Sequence, residues 1–302
     1  MNLLDLFSRY YSSLYIKKNW VPKKVHAQII KITRFFANII EPIYLSGKNN
    51  YTSRVSNKGI IVSLTSFPAR INKVWIVVEC MLRQSLLPDK IILWLSKEQF
   101  PDEKSLPDSL RRRINSIFEI RLVEGDIRSH KKYYYVAKEY PNHLVFLVDD
   151  DLFYPTDILE RSFNSFQDNP NAVICNYGYK ITYKENGSHN PYSQWVLAHE
   201  GANGTSIFFG SGGGTLFVPS MLYTDIINIG NAIKLAPLAD DIWLNAMVRL
   251  AGVNVILLKN GLILPILSDS SALSTVNRDE NKNDEQIRNV EREYGAIFNK
   301  SE

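Results

Sequence analysis

The sequence predicts an α/β protein built on an open, mixed and mostly parallel sheet. Three observations carry that expectation. Short apolar runs alternate with helical patterns from residue 60 to about 166, which is the rhythm of βαβ units. The run Leu144–Val148 has no polar break, so it reads as a strand buried on both faces, central in a sheet. It ends in Asp149-Asp150-Asp151, which places adjacent carboxylates at the strand's C-terminal edge, where open α/β sheets bind ligands.

Taken in order, Ile60–Thr65 is the first strand and 71–84 a helix. Residues 90–95 form the second strand, and Pro107-Asp108 starts a helix over 107–116. Phe118–Val123 is the third strand, 130–140 a helix, and Leu144–Val148 the fourth strand, followed by a helix over 155–166. Up to Asp151 this is a Rossmann-like half with right-handed crossovers. The second half is less regular. Residues 172–183 read as strand, 188–204 as loop, and 205–219 as a strand-like stretch interrupted by Gly210-Ser211-Gly212-Gly213-Gly214. Glycines inside a strand mark a bulge or a close backbone approach. A helix over 238–250 closes at Gly252, with strands at 253–258 and 262–267 and a polar loop plus helix over 268–302. The domain plan is therefore 1–57 as a helical extension, 58–151 as a nucleotide half, 152–267 as an acceptor half, and a polar tail.

Composition narrows the classes. The 302 residues suit one large α/β domain with an extension, and a hydrophobic share of 45% can bury a full core. Two cysteines, Cys80 and Cys175, are too few for a disulfide scaffold and lack metal-ligand spacing, which points to a reducing cytoplasm. No signal peptide or bilayer-spanning apolar run is evident. The formal charge of +4 is uneven: residues 1–58 hold ten Lys/Arg against Asp5 and Glu41, while the remainder sums to −4. Within this basic stretch Val25, Ile29, Ile32, Phe36 and Ile39 recur at helical spacing beside Lys24, Lys31 and Arg34. Two readings stay open: a helix on an anionic membrane surface, or an amphipathic helix packed on its own domain. No nucleic-acid-binding motif accompanies the charge.

Alternation along an extended chain places Asp149 and Asp151 on one side and Asp150 on the other. Close carboxylates repel unless a cation lies between them, and hard divalent ions that take oxygen ligands also hold phosphates. The run thus reads as a metal-dependent site for a nucleoside diphosphate, against the plainer alternative of a solvated acidic turn.

Several segments from 59 to 284 together resemble bacterial GT-A-fold glycosyltransferases of surface-polysaccharide synthesis. They are Val62-Ser63-Leu64-Thr65-Ser66-Phe67-Pro68-Ala69-Arg70, Ile92-Leu93-Trp94-Leu95-Ser96, Lys131-Lys132-Tyr133, Val148-Asp149-Asp150-Asp151, Gly212-Gly213-Gly214 and Ala239-Asp240-Asp241-Ile242-Trp243-Leu244. The resemblance implies a family 2-like transferase that moves a sugar from a nucleotide-sugar donor, UDP-linked by preference, to a glycan hydroxyl. It implies Mn²⁺ or Mg²⁺ as cofactor, and an acceptor carried on a polyprenyl diphosphate at the inner membrane face. Asp151 matches the family's metal ligand, with Asp149 and Asp150 beside it. Asp241 matches the acceptor-activating base, and Asp240 a helix cap or acceptor contact. Thr65, Ser66 and Arg70 end strand one, where such a fold holds the nucleoside, and by the resemblance Gly213 and Gly214 line the donor. Asp126, Lys131 and Lys132 follow strand three, where a lysine either meets the diphosphate or lies on a solvated helix face; Trp195 either stacks on an acceptor sugar or packs on the body. The chain departs from the family in lacking a late histidine to complete the metal shell, since its histidines are 26, 130, 143, 189 and 199. Asp269, Asn283, Asp284 or water are the substitutes. A base without an evident nucleophile implies inversion by direct displacement. The contrasting readings are a non-catalytic carbohydrate- or membrane-binding protein, and a sugar nucleotidyltransferase, whose Gly-rich basic loop after strand one is missing here.

Overall fold

The computed structural model describes residues 3–16, 22–47, 57–258, 263–267 and 282–300. Its centre is a seven-stranded sheet of β1 (Ile60–Thr65), β2 (Lys90–Ser96), β3 (Phe118–Val123), β4 (Leu144–Val148), β6 (Ala172–Cys175), β10 (Gly213–Phe217) and β11 (Asn254–Leu257), in the order β11-β6-β10-β4-β1-β2-β3. Neighbours pair in parallel except at β10, which runs antiparallel to both β4 and β6. The expected Rossmann-like half within a mixed, mostly parallel sheet is thus the fold observed.

Period-two side-chain alternation divides the core between the two faces. Ile60, Val62 and Leu64 belong to one apolar cluster with Phe146 and Val148. Ile61 lies in the other with Val145 and Leu147. The first face is covered by α3 (Val74–Leu82) and α6 (Ile158–Asp168), and the second by α5 (Lys131–Glu139), α8 (Asp240–Leu250) and α9 (Lys282–Tyr294).

The second half is more broken than its sequence pattern suggested. The stretch 172–183 divides at Asn176, whose amide donates to the Gly214 carbonyl (2.8 Å) and to the Ser162 hydroxyl (2.9 Å). The next strand, β7 (Gly178–Lys180), leaves the main sheet and pairs with β8 (Val196–Leu197) and β9 (Ile207–Phe209) in a three-stranded side sheet. The helix expected over 107–116 is one turn, α4 (Asp108–Arg111). A short hairpin pairs β5 (Leu152–Phe153) with β12 (Leu264–Pro265). Three further α-helices are α1 (Leu3–Ile16), α2 (Lys23–Ser46) and α7 (Ile229–Leu235), and short 3-10 turns join several of the elements.

The basic extension packs on the body. Leu4, Tyr11, Ala37 and Leu45 are part of the first core cluster. Glu41 of α2 is fully buried, and neither carboxylate oxygen has a partner among the described residues. Burial, with Asp5 nearby, pushes its carboxyl up to about 8. A carboxyl raised above its unfolded value keeps the fold's full stability only below that unfolded value, and loses it as pH rises through about 8. Glu41→Gln should therefore stabilise the protein at neutral pH by about 3 kcal/mol, with the gain vanishing in acid. Melting curves of both proteins between pH 4 and 9 test this; a Tm difference independent of pH would contradict it.

Candidate active site

The C-terminal edge of the parallel strands opens into a cleft of about 1040 Å³. Its floor is the turn after β4. Extended backbone ends at Val148, so the three aspartates do not alternate as a strand would. Asp149 turns toward Lys132 (2.7 Å), whereas Asp150 and Asp151 both meet the Arg70 guanidinium at 2.8 Å. The expectation that Asp150 points away from its neighbours is corrected on this point. Asp150 is buried, accepts from the Ser66 hydroxyl at 2.5 Å, and serves to hold Arg70.

The second pair of acids arrives from α8. Its start is fixed from several sides. Buried His130 bonds the Ala236 carbonyl (2.8 Å), and the Asn245 side chain clasps the backbone of Phe209 in both directions. No side chain caps α8, because the N-cap is Ala239, and Asp240 faces the cleft interior instead. There it accepts from the Ser211 hydroxyl (2.7 Å) and pairs with Lys132 (3.0 Å). Asp241, half-buried, accepts from the Ser211 backbone amide (2.7 Å). The capping role expected for Asp240 is replaced by these contacts.

Lys132 is the hub. Its ammonium lies between Asp149 and Asp240, and its carbonyl accepts from Ser63, whose hydroxyl also receives the Trp94 indole N–H. Burial alone would lower its pKa, but Asp149, Asp240 and Asp241 outweigh that and hold it charged. Burial likewise works against Asp240, yet Lys132 and His130 keep its carboxyl below the usual range. At Asp241 burial and the charge of Asp240 outweigh Lys132 and push the carboxyl up to about 6. Two neighbouring aspartates thus have opposite shifts, the pattern of a fixed anion beside a proton acceptor poised near neutrality.

Five carboxylates meet here, and among the described residues the ion pairs they make run to Arg70 and Lys132. The surplus shows at Asp151, which burial and Asp149 push up to about 7 despite Arg70. A hard divalent cation would relieve that charge, and carboxylate oxygens are its ordinary ligands. Among the described residues no group of three His, Cys, Asp or Glu side chains could hold a metal. Asp149 and Asp151 fit a cation whose other ligands come from phosphate and water, as Mg²⁺ commonly takes them. Of the substitutes for the missing histidine, Asp284 accepts from the Tyr192 amide (2.8 Å), and Asp269 lies outside the described residues. Asn283 lines the cleft with its carbonyl oxygen unpartnered among the described residues.

The other expected positions vary in what they offer. Thr65 lines the cleft, though its hydroxyl donates to the Trp94 carbonyl (2.8 Å). Lys131 is buried and spends its charge on Asp126, which also accepts from Gln99 (2.7 Å) and the Arg128 amide (2.9 Å). A Cβ at Gly212 would stand 1.8 Å from the Asp149 carboxyl carbon, so only glycine lets Asp149 occupy its place. Gly213 lines the cleft, and Gly214, at φ +86°, makes the bulge below it. Trp195 does not reach the cleft. It is buried among Tyr192 (4.9 Å) and Phe208 (5.1 Å), and its N–H is given to the Asn190 carbonyl. Tyr177, Tyr179 and Tyr192 present the aromatic surface there instead. Sequence reasoning missed these, along with Arg128, a non-glycine residue at φ +54° on the cleft wall. The basic run from Arg128 to Lys132 was the available signal for Arg128.

No protein-family model and no curated protein matches the chain. Among solved structures, 146 chains match. One is a 4-diphosphocytidyl-2C-methyl-D-erythritol synthase from Anaerococcus prevotii, 13% identical, covering 77% of this chain and 99% of its own, with a TM-score of 0.45. Another is a mannosyltransferase from Pyrobaculum calidifontis, solved with GDP-Man and Mn²⁺, 11% identical, covering 96% of this chain and 76% of its own, with a TM-score of 0.47. At these scores neither likeness bears on what this chain does.

Proposed function

We propose that the chain is a metal-dependent glycosyltransferase that moves a sugar from a nucleoside-diphosphate donor to a glycan hydroxyl with inversion. The observation that carries this reading is the meeting of two acidic elements in one cleft. Asp149–Asp151 carries surplus negative charge suited to a cation and a diphosphate. Asp241, across Lys132, is raised to about 6. A carboxylate so poised inside a cleft favours an enzyme over a binding scaffold.

Asp149 and Asp151 would hold the divalent ion, Mn²⁺ or Mg²⁺, which when bound supplies neutralising charge at the leaving diphosphate. Arg70, fixed by Asp150 and Ser66, keeps the Asp151 carboxylate in place. The acceptor hydroxyl attacks the anomeric carbon from the face opposite the diphosphate. Its C–O bond forms as the bond to the diphosphate breaks, the diphosphate leaves with the electron pair, and the hydroxyl proton passes to Asp241. Tyr177, Tyr179 and Tyr192 offer ring faces and hydroxyls to the sugars. A UDP-sugar donor and an acceptor of a capsule, O-antigen or exopolysaccharide chain on a polyprenyl diphosphate are the preferred substrates, on the resemblance of the motifs.

A thermal-shift screen of UDP, GDP and CDP and their sugars, with and without Mn²⁺, is the direct test. A nucleoside diphosphate should raise Tm only with the metal present, and the matching nucleotide sugar should be slowly hydrolysed. A chain that neither shifts nor hydrolyses any of them with Mn²⁺ would overturn the proposal.

A further inference from the structure

The larger apolar residues of α2 lie on the side away from the body. Toward the body the helix buries Thr33, Ala37, Glu41 and Leu45. Away from it Val25, Ile32, Phe35, Phe36, Ile39 and Ile43 stand 46% to 68% exposed. Their spacing of seven, then three or four residues, keeps them on one stripe. Scattered surface apolar residues are ordinary, whereas a contiguous stripe of large ones marks an interaction site. α1, which packs on α2, exposes Leu6 and Tyr10.

Charge says what covers the stripe. Lys23, Lys24 and Lys31 are exposed on the same helix. The acids of the extension turn inward: Asp5 accepts from the amide and hydroxyl of Thr156 (2.9–3.0 Å), and Glu41 is buried. A second copy could cover the apolar residues, but the described residues of the extension expose no acid to meet the lysines. An anionic lipid surface satisfies both the apolar stripe and the lysines beside it.

We propose that the outer face of α2 docks on an anionic bilayer, with the helix axis lying in the plane of the interface. No helix among the described residues is long and apolar enough to cross a membrane. Docking has a consequence for the cleft. The Asn38 side chain donates to the Pro265 carbonyl (3.1 Å) and accepts from the Leu267 amide (2.7 Å), which pins α2 to the cleft's edge. Arg34 lines both the cleft and a separate groove of about 520 Å³ formed with Lys31, Ile32, Phe35, Phe36 and Leu267. The cleft mouth would therefore sit at the lipid surface, within reach of a membrane-bound acceptor. That last step rests on the function proposed above; the docking itself does not.

The full chain should sediment with phosphatidylcholine vesicles that contain phosphatidylglycerol and not with phosphatidylcholine alone. Binding should weaken as salt rises, since surface charge is screened within about 10 Å at 0.1 M. Phe35→Ser with Phe36→Ser, and separately Lys24→Glu with Lys31→Glu, should each lower the bound fraction about tenfold. Tm and elution volume should not change, because these side chains face solvent. Undiminished binding by both variants, or none by the native chain, would overturn the proposal. So would a dimer that the Phe35/Phe36 variant dissolves. The nucleotide thermal shift and donor hydrolysis in solution are read alongside: the absence of both in the native chain sinks the proposed function and leaves docking standing.

Discussion

Asp151→Asn should lower sugar transfer by roughly 10²–10⁴-fold, the rate equivalent of several kcal/mol of charge stabilisation at the leaving group. The fold should survive, because Arg70 keeps its 2.8 Å bond to Asp150, and Ser66 continues to brace Asp150. The metal-free protein supplies an independent readout. Asp151 is raised to about 7, so its charge works against the native state. The stability it contributes is full below the unfolded carboxylate range and lost as pH rises through about 7. Removing the charge should therefore lessen the fall of Tm that the metal-free native chain shows between the unfolded carboxylate range and about 7, leaving the part due to Glu41. Added Mn²⁺ should restore Tm in the native chain and leave the variant unchanged. The joint pattern of a dead enzyme, an intact fold and an absent Mn²⁺ response is what a metal ligand gives. Native transfer that persists in excess EDTA would remove the metal from the mechanism.

The legible parts of this chain were those written in local pattern. β1, β3 and β4 occur over the residues their patterns marked: β4 is an unbroken apolar run because it is buried on both faces, and β3, at the sheet's edge, alternates Phe118, Ile120 and Leu122 with Glu119 and Arg121. The carboxylate turn could be placed for the same reason: Asp149 is the first residue that such a strand cannot contain. The second half resisted because its breaks are long-range. Nothing near Asn176 in sequence shows that its amide will bind Gly214 and Ser162 and turn the chain out of the sheet. At the site, the residue types were legible and their pairings were not. Lys132 looked like a phosphate contact, yet it is enclosed by Asp149 and Asp240, which lie 17 and 108 positions away along the chain. Trp195 could have stacked on a sugar or packed on the body, and Phe208 and Tyr192 enclose it. For α2, neither sequence reading excluded the other. One stripe packs on the body, and a second stripe of larger residues faces outward.

Asp241→Asn should lower transfer by about 10²–10⁴-fold, the usual contribution of a positioned general base. Nucleotide affinity should stay near native, since Asp149, Asp151 and Arg70 are untouched. Stability should hold or rise slightly, because a carboxyl pushed up to about 6 is one whose charge the fold disfavours. Asp240→Asn should behave differently. Asp240 is the fixed anion between Lys132 and Ser211, so its loss removes one of the two ion pairs of a buried ammonium. Removing one partner of such a pair destabilises by a few kcal/mol, of order 3, rather than by the smaller amount of a lost helix cap. Its effect on rate is read in the pH profile. Native transfer should rise with pH and level off above about 6, where Asp241 has lost its proton. Without the Asp240 charge beside it, Asp241 should ionise more easily, and the acid limb should move to lower pH. One variant thus loses the plateau and keeps the fold, while the other loses stability and shifts the limb. If Asp240→Asn were the stable, inactive protein and Asp241→Asn retained its plateau, the two roles would be exchanged. If both kept full transfer with unmoved profiles, the proton would leave by another route, and direct displacement would lose its base.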